Sequence, residues 1–269
     1  MRRLKKAASV LLVLSLPGIL APADRKAGSF SVNGFAGPCV LLGPSDFRQY
    51  YRPRVGFGGM LRYSITEKSV IGIGYLRIPY RLDRNRFEKE LRDGIRLSEL
   101  DVLGLHTSSL NVLLDGGGLT ANLFSINFIR YFTRPESRTG LYLTGGFGYC
   151  LLDFNDLTVD GSIQGTLVDS STGTTVPVDE PIGRITYSGG ELKKNTGMEN
   201  RSGLNAGLGF EFRIWKNVTV FAESKYHCVL TEAKTRPAGS VGGVGSGSLE
   251  KTGGKVQWIS TMAGFRAGL

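Results

Sequence analysis

Residues 203–214 read GLNAGLGFEFRI, with Leu204, Ala206, Leu208, Phe210, Phe212 and Ile214 at every second position and Asn205, Gly207, Gly209, Glu211 and Arg213 between them. A period of two sends these sets to opposite faces of a β-strand, whereas the helical period of 3.6 would mix them. The sign of the sorting is informative. Glycine shares a face with the charges, as a crowded interior holding long side chains requires, and the other face is a continuous apolar strip suited to lipid. A soluble barrel sorts the other way, with charges outward and an apolar interior.

The same alternation recurs on either side of this stretch. Residues 217–230 set Val218, Val220, Ala222, Tyr226 and Leu230 against Thr219, Glu223, Lys225 and His227. Residues 256–269 set Ile259, Ala263, Phe265, Ala267 and Leu269 against Ser260, Gly264 and Arg266. With 28–42, 53–65, 70–80, 119–133 and 141–153 there are eight such segments, each long enough for a tilted membrane strand. In 119–133 two facings compete: Phe124, Ile126 and Phe128 outward with Arg130 reaching the rim, or Leu123, Ile129 and Tyr131 outward. The first is preferred, because the second puts Ser125 and Asn127 into hydrocarbon. The facing of 70–80 stays open. The mean hydropathy of −0.05 is uninformative, because the two faces cancel in any window.

Connection lengths alternate as well. Residues 66–69, 134–140 and 215–216 are short, whereas 81–118 and 154–202 hold 38 and 49 residues by inclusive count, and 43–52 and 231–255 are also longer. Short turns on one side and long loops on the other are the layout of an outer-membrane barrel. The expectation is an all-β, eight-stranded antiparallel transmembrane up-and-down β-barrel with long extracellular loops and both mature termini at the periplasmic, short-turn end.

Residues 1–23 read as a signal peptide. Arg2, Arg3, Lys5 and Lys6 precede an apolar stretch, and Ala21-Pro22-Ala23 supplies a cleavage pattern. Residues 24–269 then form the barrel domain. Taking those four basic residues from 33 leaves 29 against 23 acidic ones, a formal +6 spread along the chain with no nucleic-acid footprint. Cys39, Cys150 and Cys228 are an odd, widely spaced set, so at least one thiol is expected to be free.

Gly56–Tyr75, Asn122–Phe132 with Leu141–Tyr149, Gly203–Tyr226 and the C-terminal Met262–Leu269 resemble the eight-stranded barrel domain of the OmpA/OmpX type, also seen in many "porin family" outer-membrane proteins. The resemblance covers nearly the whole mature chain and implies a bacterial outer-membrane location. The implied partners are outer-membrane lipids, lipopolysaccharide and the assembly machinery that reads the last strand, and the implied state is a monomer. One departure is Leu269, where the family usually ends in Phe.

The candidate site is the lumen. Arg62, Glu211, Arg213, Glu223, Lys225, His227 and Arg266 all fall on inward positions of an eight-stranded barrel, which is barely wide enough for side chains. A plugging network of ion pairs is the first reading, and a narrow polar path for small solutes is the alternative. The sequence carries no cofactor motif and no metal-ligand spacing. A deacylase-like enzyme is disfavoured, since His106-Thr107-Ser108 lies in a long loop and no base-orienting partner is evident. Phe87, Leu91 and Ile95 in residues 84–100 predict a short amphipathic helix in the second long loop, either capping the barrel mouth or binding a partner. Residues 162–168 and 174–178 predict a hairpin beyond the membrane, and 239–248 is Gly/Ser-rich. A structural or interaction barrel acting through its loops is the expected role; no ligand is named by composition.

Overall fold

The computed structural model describes residues 26–43, 45–94, 105–168, 174–196, 200–233 and 254–269. The signal segment, Ile95 and residues 239–248 lie outside them. The elements are β1 (Phe30–Gly37), β2 (Cys39–Gly43), α1 (Ser45–Tyr50), β3 (Tyr51–Pro53), β4 (Gly56–Ser64), β5 (Ser69–Leu82), α2 (Arg84–Gly94), β6 (Leu105–Gly116), β7 (Leu119–Tyr131) and β8 (Thr139–Phe154). They continue with β9 (Leu157–Val168), β10 (Thr175–Tyr187), α3 (Gly189–Thr196), β11 (Arg201–Arg213), β12 (Val218–Ala233) and β13 (Gly254–Gly268).

Eight staves close into an antiparallel barrel. β1 with β2, β3 with β4, β5, β7, β8, β11, β12 and β13 follow one another around the wall, and β1 pairs with β13 to complete it. The closing register runs from Ser31↔Gly268 to Ala36↔Ala263, and Leu269 N donates to Phe30 O at 2.9 Å. Pro38 interrupts the first stave without breaking it. Its carbonyl accepts from Thr261 N at 2.9 Å, and β2 resumes the pairing at Cys39↔Ser260. All eight expected segments are strands, and the short turns expected after 53–65, 119–133 and 203–214 are found there.

The second and third long connections hold more β-structure than expected. β6 lies in a segment expected to be a loop; it is instead a strand that pairs with β9, and β9 pairs in turn with β10. The predicted hairpin is present and extends further from its turn than expected, with pairing from Thr175↔Val168 to Tyr187↔Leu157. The β6–β9 pair continues the β7–β8 ribbon above the barrel, bridged by Gly117 N to Asp156 O at 2.8 Å and Asn155 N to Gly118 O at 2.7 Å. The bend is made by Gly116 (φ 85°) and Gly117 (φ 68°), in the left-handed region that side chains rarely adopt. A Cβ at Gly116 would also lie 2.0 Å from Asp156 O. The region lacks a clean apolar alternation because both faces of β10 are exposed where described.

The amphipathic helix forms as α2 and packs against the base of this upper sheet. Phe87 meets Tyr50 edge to face at 5.5 Å and joins Leu192 of α3 on a cluster of Leu82, Val112, Leu114 and Leu157. Ser188 caps α3: its Oγ accepts from Glu191 N at 3.3 Å, while Glu191 Oε2 accepts from Ser188 N at 2.8 Å. This reciprocal pair is a capping box.

Candidate functional site in the barrel lumen

The staves aim two different populations of side chain inward. At the short-turn end the lumen is polar. Arg266 grips Glu211 with two prongs, Nη1 to Oε2 at 2.6 Å and Nη2 to Oε1 at 3.1 Å. Tyr131 OH donates to Glu211 Oε2 at 2.8 Å and accepts from Arg266 Nη1 at 2.8 Å and Arg62 Nη1 at 3.2 Å. Thr219 Oγ1 accepts from Arg266 Nη2 at 3.3 Å. The Asn33 amide, turned with its oxygen toward Arg62, accepts from Nε at 2.8 Å and Nη2 at 3.0 Å. The Arg62 guanidinium lies over the rings of Tyr142 and Phe221 at 5.5 and 5.6 Å. Seven of the eight staves, all but β5, thus contribute side chains to one buried cluster.

Glycine makes the room. A Cβ on Gly209 would sit 2.1 Å from the Tyr142 ring, and one on Gly140 would sit 2.4 Å from Glu211 Cγ. This is the physical basis of the glycine-with-charge face in the sequence.

Above this layer Lys225 Nζ pairs with Glu223 Oε1 at 2.8 Å. His227 stacks on Trp258 with ring centroids 5.0 Å apart and shares a 2.9 Å hydrogen bond between Nε2 and Ser260 Oγ. Asn127, Asn205, Glu223, His227 and Ser260 border a cavity of about 20 Å³, room for about one water. Towards the loops the lumen becomes apolar, filled by Cys39, Leu41, Leu76, Ile78, Tyr80, Leu119, Leu123, Cys150, Leu152, Val229, Val256 and Trp258. The three cysteines are free thiols, two of them in this upper plug.

The outer wall completes the picture. Phe30, Val32, Leu61, Ile71, Ile73, Phe124, Ile126, Phe128, Leu141, Leu143, Phe147, Leu208, Phe210, Phe212 and Phe265 form an exposed belt around the outside. Ser224 and Thr261, outward within it, satisfy each other's hydroxyls at 3.4 Å. A continuous apolar exterior of this extent around a charged interior is stable only in hydrocarbon. The chain is an eight-stranded transmembrane β-barrel. It crosses with strands; no helix among the described residues is long and apolar enough to span.

The belt settles the open facings. Phe124, Ile126 and Phe128 are outward and Leu123, Ile129 and Tyr131 inward, as preferred, and Arg130 lies at the rim donating to Ser69 Oγ at 2.5 Å. In 70–80, Ile71 and Ile73 face outward while Val70, Leu76, Ile78 and Tyr80 face inward. Of the seven lumen candidates, Arg62, Glu211, Glu223, Lys225, His227 and Arg266 are buried inside the barrel. Arg213 stands apart at the short-turn mouth, half-buried, with Nη2 donating to Pro135 O at 2.8 Å. Tyr131, Tyr142, Asn33 and Thr219 were missed as members of the cluster. The signal was the parity of 119–133, which turns Tyr131 inward once Phe128 is outward.

His106 belongs to β6 of the upper sheet, opposite Thr166, and not to an irregular loop. His227 and Ser260 are in contact inside the barrel, buried at 3% and 1% exposure. Among the described residues no group of three His, Cys, Asp or Glu side chains converges.

No protein-family model matches the sequence, and neither does any curated protein. Among solved structures, the N-terminal β-barrel domain of Pseudomonas aeruginosa OprF is similar over 90% of this chain and 98% of its own, at 13% identity and a TM-score of 0.38. Ail, the attachment invasion locus protein of Yersinia pestis, is similar over 90% and 99% at 12% identity and 0.39. The outer membrane protein OprG of Pseudomonas aeruginosa is similar over 91% and 97% at 11% identity and 0.42. These are likenesses of overall shape only.

Proposed function

We propose that this barrel is a non-conducting anchor of the bacterial outer membrane, a monomer whose work is done outside the membrane by the β6–β9–β10 sheet and the helices at its base. The observation that carries this reading is the filled lumen. Side chains from opposite walls meet at the polar level through Tyr131, Glu211, Arg266 and Arg62 and again at the apolar level around Trp258 and Ile78. Eight strands leave little space beyond that filling. The short turns, the start of β1 and the end of β13 face the periplasm in this reading, and β13 carries the assembly signal. Lipids and lipopolysaccharide surround the belt.

The tests separate conduction from display. In planar bilayers the protein gives no steady conductance; reproducible steps that change on Glu223→Ala or Arg213→Ala would replace this reading with a small-solute channel. Replacing residues 83–118 and 155–200 by short turns leaves a heat-modifiable barrel while abolishing surface binding or envelope resistance of intact cells. Unchanged behaviour of those cells under every condition removes the interaction role.

A further inference from the structure

Between the charged cluster and the apolar plug, Asn127 of β7, Gly146 of β8, Asn205 of β11 and His227 of β12 lie side by side in one row of the wall. The three polar side chains are buried, and each keeps one atom without a hydrogen-bond partner among the described residues: Asn127 Oδ1, Asn205 Oδ1 and His227 Nδ1. Glu223 Oε2, four residues from His227 on β12, is a fourth. The remaining atoms of these groups are engaged, since Asn127 Nδ2 donates to Ser125 Oγ at 2.9 Å, Lys225 Nζ to Glu223 Oε1 at 2.8 Å, and His227 Nε2 bonds Ser260 Oγ at 2.9 Å. Those contacts fix which atoms are left over. Gly146 keeps the space between the two amides clear, for a Cβ there would lie 2.8 Å from Asn127 Oδ1.

Size, charge and hydrogen bonding together select what this level can hold. The cavity that Asn127, Asn205, Glu223, Lys225 and His227 border measures about 20 Å³, enough for one water or one bare ion. A cation is disfavoured. Three buried cations of the lumen, Arg62, Lys225 and Arg266, already face only two carboxylates, Glu211 and Glu223, and the Lys225 ammonium borders the cavity itself. An anion is disfavoured as well, because three of the four open atoms are oxygens that only accept. The two amide oxygens cannot bond each other for the same reason. A buried acceptor without a donor loses its hydration uncompensated, so the site calls for a small neutral molecule with two donors.

We infer that this level is a binding site for a single water molecule, which donates to Asn127 Oδ1 and Asn205 Oδ1 across Gly146 and accepts from the Lys225 ammonium. Lys225 has three N–H bonds and uses one of them on Glu223 Oε1, so it can serve the water without leaving its carboxylate. The water ties β7, β11 and β12 into one hydrogen-bonded layer. That layer closes the polar half of the lumen beneath the apolar plug, and it keeps the two asparagines in place although neither meets the other directly. The inference rests on the closed lumen proposed above, since a conducting path would fill this level with exchanging water.

The test is solution NMR of the isotope-labelled full barrel in lipid nanodiscs, with magnetisation transfer from water read at the side-chain amides of Asn127 and Asn205. The wild type is expected to show cross-peaks at both amides with the sign of a dipolar contact, opposite to that of proton exchange. Asn127→Leu is expected to remove the one at Asn205, and Asn205→Leu the one at Asn127. Urea unfolding from lipid vesicles gives an independent reading: a shared water couples the two residues, so Asn127→Ala and Asn205→Ala should each lower the folding constant about tenfold, and the double variant should lose little beyond either single one. Absent cross-peaks in the wild type, cross-peaks that survive both leucine substitutions, or additive losses overturn the inference. Cross-peaks that depend on replacing sodium by N-methylglucamine would put a cation in the site and overturn it too. Heat-modifiable gel mobility establishes that each variant is folded; if the leucine variants are not, the wild-type cross-peaks decide. Steady conductance in planar bilayers would overturn the closed lumen separately.

Discussion

The two halves of strand β5 follow opposite rules. Below Tyr75 its outward residues are Ile71 and Ile73 and its inward ones Gly72 and Gly74; above it Arg77 and Arg81 point out while Ile78, Tyr80 and Leu82 point in. β7 and β8 change in the same region, from Phe124 and Phe147 outward to Asn122 and Asp153 outward, with Tyr75 OH donating to Asn122 Oδ1 at 2.7 Å and Asn122 Nδ2 to Asp153 Oδ2 at 2.7 Å. The backbone geometry is the same throughout. What differs is the surrounding solvent. In hydrocarbon the apolar face must be outside, and in water it must be inside. On this side of the barrel the crossover at Tyr75, Asn122 and Tyr149 therefore marks the edge of the membrane, where amphipathic rings are favoured.

The largest effect expected from this contrast comes from the lower lumen. Glu211→Ala leaves Arg266 and Arg62 buried without their carboxylate and should cost about 3–5 kcal/mol in urea unfolding from lipid vesicles. The double variant Glu211→Leu, Arg266→Leu should recover most of that loss, because no charge is then left alone. An equal loss in both variants would mean that the cluster matters for packing and not for charge.

A charge scan along the outside of β5 tests the crossover itself. Ile71 is 39% exposed and lies two outward steps below Tyr75, about 10 Å into the belt, so Ile71→Arg should cost about 2–4 kcal/mol, whereas Arg77→Ile, one outward step beyond Tyr75, should be within about 0.5 kcal/mol of the wild type. Equal penalties at the two sites would move the boundary.

The junction between the halves is tested at its bend. Gly116→Val forces a branched side chain into a left-handed conformation against Asp156 O and should cost about 1–3 kcal/mol. The loss should be local: amides of β6 exchange faster while the barrel keeps its heat-modifiable mobility. Global unfolding would show that the upper sheet and the barrel form one cooperative unit.

The smallest expected effect is at α3. Hydrogen bonds from the Ser188 backbone and hydroxyl hold the Glu191 carboxyl below the usual carboxylate range. A lowered folded value means that the contribution is complete above the unfolded value of about 4.3 and is lost as pH falls through the folded one. Amide exchange in α3 should therefore be unchanged from pH 7 to 5 and rise only below about pH 4. Glu191→Gln should remove that acid-side change.

The alternation of residues 203–214, 217–230 and 256–269 was enough to determine strands, their facing and a lipid-side exterior, since a period of two is a local property. It also put six of seven candidate side chains in the lumen, and the outward position of Phe124, Ile126 and Phe128 followed from the cost of Ser125 and Asn127 in hydrocarbon. Local periodicity carries no height, however. The inversion in β5 reads from sequence as an ambiguous strand, because nothing along the chain says where the membrane ends. Pairing is likewise non-local. β6 and β9 are brought together by the ribbon below them, Tyr131 meets Glu211 and Arg266 across sequence separations of 80 and 135 residues, and the wall opens between β2 and β3 because each finds a partner on its other side. Those contacts depend on barrel closure and tilt, which only the assembled wall provides.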